Sequence, residues 1–285
     1  MENSHQKNLY FLLLGTLFVS TSGVLGRYIA LPAEAIIFCR ASFATIFIYA
    51  FCRFKKIDLK IKSKKDFYSF LVSGIFMALH WVTYFIALKL SNVAIGMLSL
   101  FTFPVITALL EPLFTKQKLN PVHVFLAVLV LLGIYMLVPD LSLENDHLKG
   151  ILFGIFSAFC YALRNLTIKK HVTNYNGSAL MLHQMIIVSV LLIPVLFFSD
   201  FSNFESQLPL LLLIALLTTA IGHTMIVNAL KHFSVTTASI IGSAQPIFGI
   251  IIAYFFVHEI PSYNTYIGGA IILFTVVVES VRSKK

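Results

Sequence analysis

Leu98-Ser-Leu-Phe-Thr-Phe-Pro104 and Ile240-Ile-Gly-Ser-Ala-Gln-Pro246 decide how this chain is read, because each puts a proline midway along an apolar run. Ala87-Leu-Lys89 stands 17 residues before Pro104, and Ala229-Leu-Lys231 stands 17 residues before Pro246. The two segments therefore align without a gap at an offset of 142, about half the chain. Proline has no backbone N–H, so in a helix it frees the carbonyl four residues earlier, here on Leu100 and Gly242. A bilayer offers no water to satisfy such a carbonyl, so a paired interruption needs a reason. Proline-broken apolar segments at matching places in two halves of a membrane protein point to inverted repeats, with a transport site between them.

Composition places the chain in a membrane. It has 285 residues, of which 58% are hydrophobic and 12% charged, against about 25% charged in a soluble domain. The net charge of +9 reads as basic loops facing cytoplasm and anionic lipid, with no nucleic-acid partner expected. Cys39, Cys52 and Cys160 are scattered along apolar runs and read as free thiols, with neither a disulfide framework nor a metal site. The run beginning near Leu9 has a single Lys before it and no small-residue cleavage site after it, so a retained helix is expected.

A hydrocarbon core about 30 Å thick needs about 20 apolar residues per helix. Ten runs qualify: residues 9–27, 34–52, 67–88, 92–114, 121–139, 150–168, 177–198, 208–230, 235–257 and 264–281. With the N-terminus inside, sixteen of the 21 Lys and Arg fall on the inner side, so both termini are expected in the cytoplasm of a cell-membrane protein. Five helices per half is an odd number, so the second half begins on the opposite side. The expected fold is an all-α integral membrane protein of ten transmembrane helices, arranged as two inverted five-helix repeats around a central cavity. The repeats are residues 1–140 and 141–285, and the offset sets Arg27 opposite Lys169.

These features resemble the drug/metabolite transporter superfamily, in its EamA-type ten-helix branch. The residues that carry the likeness are Phe38-Cys-Arg40-Ala-Ser-Phe43 early in the second helix, Ala87-Leu-Lys-Leu-Ser-Asn-Val-Ala94 leading to Pro104, and Ala229-Leu-Lys-His-Phe-Ser-Val235 leading to Pro246. A Trp common late in the first helix of such proteins is missing, with Ser20-Thr-Ser22 in that region. The resemblance implies a basket of helices around a cavity walled mainly by helices 1, 3, 4, 6, 8 and 9. It also implies a small-molecule cargo, and leaves open which one.

Polar groups at mid-depth are expensive in lipid, so they are expected to face the interior and to have a task. His80-Trp81-Val-Thr-Tyr84 sets His80 and Tyr84 on one helical face beside the chain's single Trp. The offset relates Trp81 to His223 and Ile86 to Asn228. These form a candidate wall for a flat or amphipathic cargo; the alternative is that Trp81 and Tyr84 sit in an interfacial aromatic belt and His80 only bonds a neighbouring helix. Arg164 and Asn165 are candidates to meet an anionic group or to pair with Glu111. Ser99, Thr102, Ser243 and Gln245 flank the helix breaks at Pro104 and Pro246, with Gln245 the strongest of the four. His183-Gln184 reads as weaker, on a peripheral helix. Arg40 is expected to tie helices or to gate, and Glu111, beside Pro112, to gate or to carry a coupling proton.

The expected function is secondary-active transport, in the export direction, of a small organic metabolite such as an amino acid. No phosphate-binding loop occurs, so ATP hydrolysis by this chain is excluded, and no cofactor is expected. Two rivals remain: a non-transporting scaffold or receptor, and an intramembrane hydrolase using Ser243 and His223, for which no supporting motif occurs. Oligomeric state is open.

Overall fold

The computed structural model describes residues 2–115, 121–137, 142, 144–172, 174–229, 232, 242 and 244–282. Among them the secondary structure is entirely helical. In chain order the helices are α1 Glu2–Tyr28, α2 Ala33–Phe54, α3 Lys64–Leu90, α4 Val93–Leu100, α5 Phe103–Thr115, α6 Pro121–Leu137, α7 Asp146–Ile168 and α8 Gly177–Leu191. They continue with α9 Val195–Phe198, α10 Phe204–Leu213, a π-helical stretch Ile214–His223, α11 Thr224–Ala229, α12 Ala244–Phe256 and α13 Tyr263–Arg282.

Among the described residues seven helical stretches are long and apolar enough to cross a membrane: Gln6–Tyr28, Ala33–Phe54, Lys64–Leu90, Val93–Phe114, Asp146–Ile168, Gly177–Phe198 and Phe204–Asn228. Pro121–Leu137, Ala244–Phe256 and Tyr263–Val278 are apolar but shorter. These three fall on the fifth, ninth and tenth runs of the sequence. The ninth run starts at 235, where residues 233–241 and 243 lie outside the described residues.

Helix starts follow from side chains that satisfy the first amides, which have no partner within the helix. Asn92 accepts from the N–H of Ile95 at 2.8 Å, Asn145 from that of His147 at 2.8 Å and Asn176 from that of Ser178 at 2.9 Å. The expected break before Pro104 is present, with α4 ending at Leu100 and α5 starting at Phe103. Thr102 bridges it: its hydroxyl donates to the Ser99 carbonyl at 2.8 Å, one residue before the carbonyl that Pro104 frees. Pro246 is buried on α12, two residues after Ala244, and Ser243 before that helix lies outside the described residues.

Contact pairs fix the packing directions. Ser91 lies against Gly150, His80 bonds Ser157 and Phe70 meets His171, so α3 and α7 run antiparallel. Gly23 lies by Tyr84 and Gly26 by Phe85, and Arg27 bonds the carbonyls of Leu88 and Lys89, so α1 and α3 run parallel. Close approach of α7 depends on Gly154, where a Cβ would sit 2.5 Å from Ser99 Cβ. The α6–α13 contact depends on Gly268, where a Cβ would sit 2.5 Å from the Gly133 carbonyl oxygen. Both are the small-residue contacts by which helices associate where lipid removes the hydrophobic drive.

Candidate functional site

The deepest polar cluster forms around Arg40, which is 1% exposed. Its Nε donates to Thr219 Oγ1 at 2.7 Å and its Nη1 to Ser22 Oγ at 3.2 Å. The guanidinium lies 4.0 Å from the centre of the Trp81 ring and 5.7 Å from that of Phe85. Trp81, also 1% exposed, meets His223 with ring centres 5.6 Å apart. Trp81 is thus a core residue and not part of an interfacial belt, while His80 does bond a neighbouring helix, as the alternative expected. Thr219 and His223 reach the cluster from the π-helical stretch, a form that is rare and frequent at functional sites.

Next to Trp81, His80 Nδ1 and Ser157 Oγ are 2.7 Å apart, and the same hydroxyl donates to the His80 carbonyl at 2.8 Å. A hydroxyl has one proton. Having given it to the carbonyl, Ser157 accepts from Nδ1–H, which leaves His80 Nε2 as a bare acceptor. The His80 ring stacks on Tyr161 at 4.5 Å and faces Tyr84 at 6.2 Å. Tyr161 in turn lies 6.0 Å from the guanidinium of Arg164. Ring contacts run from Arg40 to Trp81 and His223, and from His80, next to Trp81 in the chain, through Tyr161 to Arg164, so one cluster holds both buried arginines.

Arg164 is 7% exposed. It bonds Asn165 Oδ1 through Nη1 at 2.9 Å and, through Nη2, both Gln184 Oε1 and the Met181 sulfur at 3.7 Å. Gln184 is fully buried and its amide donates to Ser73 Oγ at 3.0 Å, so Arg164 is held by a chain of contacts from α7 through α8 to α3. Helix α8 is therefore not peripheral at this point, contrary to the sequence expectation. Gln184 is a residue that sequence reasoning undervalued, although an amide in an apolar run was a usable signal.

The other candidates divide. Ser99 is buried on α4 with its hydroxyl unpaired, and Thr102 is spent on the helix break. Asn228 packs against Gly177 at the start of α8. Gln245 is half-buried on the first turn of α12, and Ser243 lies outside the described residues. Glu111 does not meet Arg164: it pairs with Lys169 at 2.5 Å, at one end of the molecule. Arg27 and Glu259 form a 3.1 Å pair at the other end, beside a cleft of about 90 Å³ lined by Asn92, Ala94, Ile250, Ala253 and Glu259. Among the described residues no group of His, Cys, Asp and Glu is arranged to hold a metal. Sequence reasoning missed Glu259, Ser22, Ser157 and Thr219. Each is small or lies beyond a helix end, and only the fold gathers them.

Comparison with known proteins agrees with this architecture. A solved crystal structure superposes on 98% of this chain and 98% of its own with a TM-score of 0.70 at 15% identity, a likeness of fold alone. The pseudopaline exporter CntI of Pseudomonas aeruginosa is 25% identical over 256 residues, spanning 90% of this chain and 88% of that protein. An uncharacterized transporter of Archaeoglobus fulgidus is 26% identical over 94% of each chain, and the uncharacterized transporter YxxF of Bacillus subtilis is 24% identical over 85% of this chain and 79% of its own. The model of the EamA-like transporter family matches twice, at residues 6–138 and 148–280. The chain is a multi-pass membrane protein and belongs to the EamA-like transporter family of the drug/metabolite transporter superfamily.

Proposed function

We propose that this protein is a secondary-active exporter of a small organic metabolite, working by alternating access between inverted five-helix halves, residues 1–140 and 141–285. The observation that carries this reading is that the buried polar cluster is assembled across the halves. Thr219 bonds Arg40, Ser157 bonds His80 and His223 meets Trp81. Residues related by a two-fold operation touch each other only near its axis, and Trp81 and His223 are related by the offset of 142. A seam of polar contacts at that axis exchanges for water or cargo at less cost than an apolar seam does. In this reading the three shorter apolar helices complete ten spans.

The two ion pairs at the ends support the same cycle. Arg27 of the first half pairs with Glu259 of the second, and Glu111 of the first with Lys169 of the second. Arg27 and Lys169 are themselves 142 apart. Each pair closes one end, and alternating access requires that they open in turn. The basic residues of the 53–65 segment favour a cytoplasmic Lys169 end, with both termini inside a cell membrane. The named exporter among the relatives supports the outward direction.

Counterflow in proteoliposomes, with labelled amino acids, nucleobases, organic acids and organic cations, tests the reading. Exchange of any one solute, cut by Trp81→Phe and Gln245→Leu in protein that inserts normally, is the expected result. Trp81→Phe is the informative variant, because emptying a site this buried with Ala costs about 3–5 kcal/mol of folding. Absence of exchange for the whole panel from folded protein turns the assignment toward the non-transporting scaffold.

A further inference from the structure

Among the described residues neither buried guanidinium, of Arg40 or of Arg164, has a counter-charge. Among the described residues every partner of Arg40 and Arg164 is neutral: hydroxyls on Ser22 and Thr219, amides on Asn165 and Gln184, the Met181 thioether and the faces of Trp81, Phe85 and Tyr161. No described carboxylate pairs with either. Where this chain uses arginine to hold helices together, it does otherwise: Arg27 has Glu259 and two backbone carbonyls. Taking a cation out of water is costly, and neutral hydrogen bonds and a cation–π contact return only part of that cost. The core stores two positive charges that its own residues do not neutralise.

Each guanidinium also keeps a donor in reserve. Arg40 Nη2 and Arg164 Nε are buried without a partner. Both nitrogens belong to the Nε/Nη2 edge, the side of the guanidinium that grips an oxyanion with two parallel bonds. In Arg40 the other donor of that edge is held by Thr219 and in Arg164 by Gln184, a hydroxyl and an amide that a charged acceptor outcompetes. Thr219 lies in the second half and Arg40 in the first, so separating the halves at that contact bares the whole edge of Arg40.

We propose that the cargo is an organic oxyanion, and that its carboxylate or phosphate docks on the Nε/Nη2 edges of Arg40 and Arg164. This rests on the transport reading and narrows it from a small organic metabolite to an acidic one. The aromatic lining from Trp81, Tyr84 and Tyr161 receives the apolar part of such a molecule. His80 Nε2, left as an acceptor, receives an N–H or O–H from it.

The test is thermal unfolding of the purified full-length protein in detergent, titrated with glutarate, phenylpyruvate and glycerol 3-phosphate, against dimethyl glutarate and phenylethylamine as uncharged and cationic controls. At least one oxyanion raises the melting temperature in a saturable way and the controls do not; the carboxylates against the phosphate decide which head group is read. Arg40→Lys keeps the charge but loses the fork, and weakens the response at least tenfold. A measurement independent of any probe uses Arg164→Met without ligand: relief of an uncompensated charge raises the melting temperature by about 2–4 °C. Two results overturn the proposal: an oxyanion response absent from wild type, or an Arg164→Met protein that melts lower. Counterflow of a neutral or cationic solute, unaffected by either variant, overturns it while leaving transport intact. An oxyanion response without exchange of any solute keeps the site and removes transport.

Discussion

At the Arg27 end, the guanidinium bonds Glu259 and the carbonyls of Leu88 and Lys89, while the second oxygen of Glu259 accepts from the Val93 N–H at 2.7 Å. Lys89 adds a bond from its ammonium to the Ile29 carbonyl. At the Lys169 end, a flexible ammonium meets Glu111 with the two side chains 53% and 37% exposed, against 35% and 20% for Arg27 and Glu259. The basic partners, Arg27 and Lys169, stand at matched positions in the two halves, and the ion pairs they form differ in strength. A planar guanidinium held by several acceptors is worth more than a solvated lysine pair, whose usual contribution is about 0–1 kcal/mol. In the alternating-access cycle proposed above, this difference makes the Arg27 end the firmer closure and the Lys169 end the one that opens at less cost.

Breaking the stronger closure gives the largest effect. Glu259→Gln keeps the shape, removes the charge and weakens the bond to Val93, a loss of about 2 kcal/mol or roughly thirtyfold in the closed-to-open ratio. The readout is the rate at which a water-soluble thiol reagent labels Ala94→Cys, which lines the cleft beside Glu259, with the buried Cys39, Cys52 and Cys160 replaced by Ala. An unchanged rate removes Glu259 from the closure. Exchanging the charges, Arg27→Glu with Glu259→Arg, recovers about half of the difference. An arginine cannot accept from Val93, so about 1 kcal/mol, roughly fivefold, stays lost. A double variant no better than Glu259→Gln alone means that the two side chains do not act as a pair.

How much of this was legible in the sequence depends on what each residue touches. Arg40, Trp81, His80, Arg164 and His223 stood out because polar and bulky aromatic groups at mid-run have few ways to exist in lipid, and the fold does bring them together. Trp81 meeting His223 followed from an offset that a reader can count. Thr219 did not stand out, because a threonine in an apolar helix more often bonds its own backbone. Its neighbour Thr218 does so, to Ile214 at 2.6 Å, whereas the π-helical stretch turns Thr219 onto Arg40. Glu259 lies beyond the ninth run, outside the apolar stretches in which candidates were sought. Its role depends on the end of α1 arriving beside it, which no spacing along the chain reports. Glu111 was legible as an unusual carboxylate, but its partner was not, since Lys169 lies 58 residues away.

The weaker closure gives smaller numbers. Lys169→Gln removes a pair worth about 0.5 kcal/mol, roughly twofold in labelling of Leu109→Cys on α5. A change as large as that of Glu259→Gln at its own end would erase the asymmetry. Glu111→Gln opens this end to the same extent and also distinguishes closure from coupling. If Glu111 carries the proton, this variant loses dependence on an imposed pH gradient while Lys169→Gln keeps it. Equal gradient dependence in both variants and wild type leaves Glu111 a closing residue only.

The smallest effect needs no mutation. Raising the salt from 0.1 to 1 M shortens the Debye length from about 10 Å to about 3 Å, which screens exposed pairs and spares partly buried ones. The Lys169–Glu111 pair is the more exposed, so high salt raises labelling of Leu109→Cys by up to about twofold and leaves Ala94→Cys unchanged. The direction is what matters, because general loosening in salt would raise both rates together. A rise confined to Ala94→Cys would mean that the Arg27 end is the weaker closure, and that the acceptors gathered around Arg27 only position the side chain.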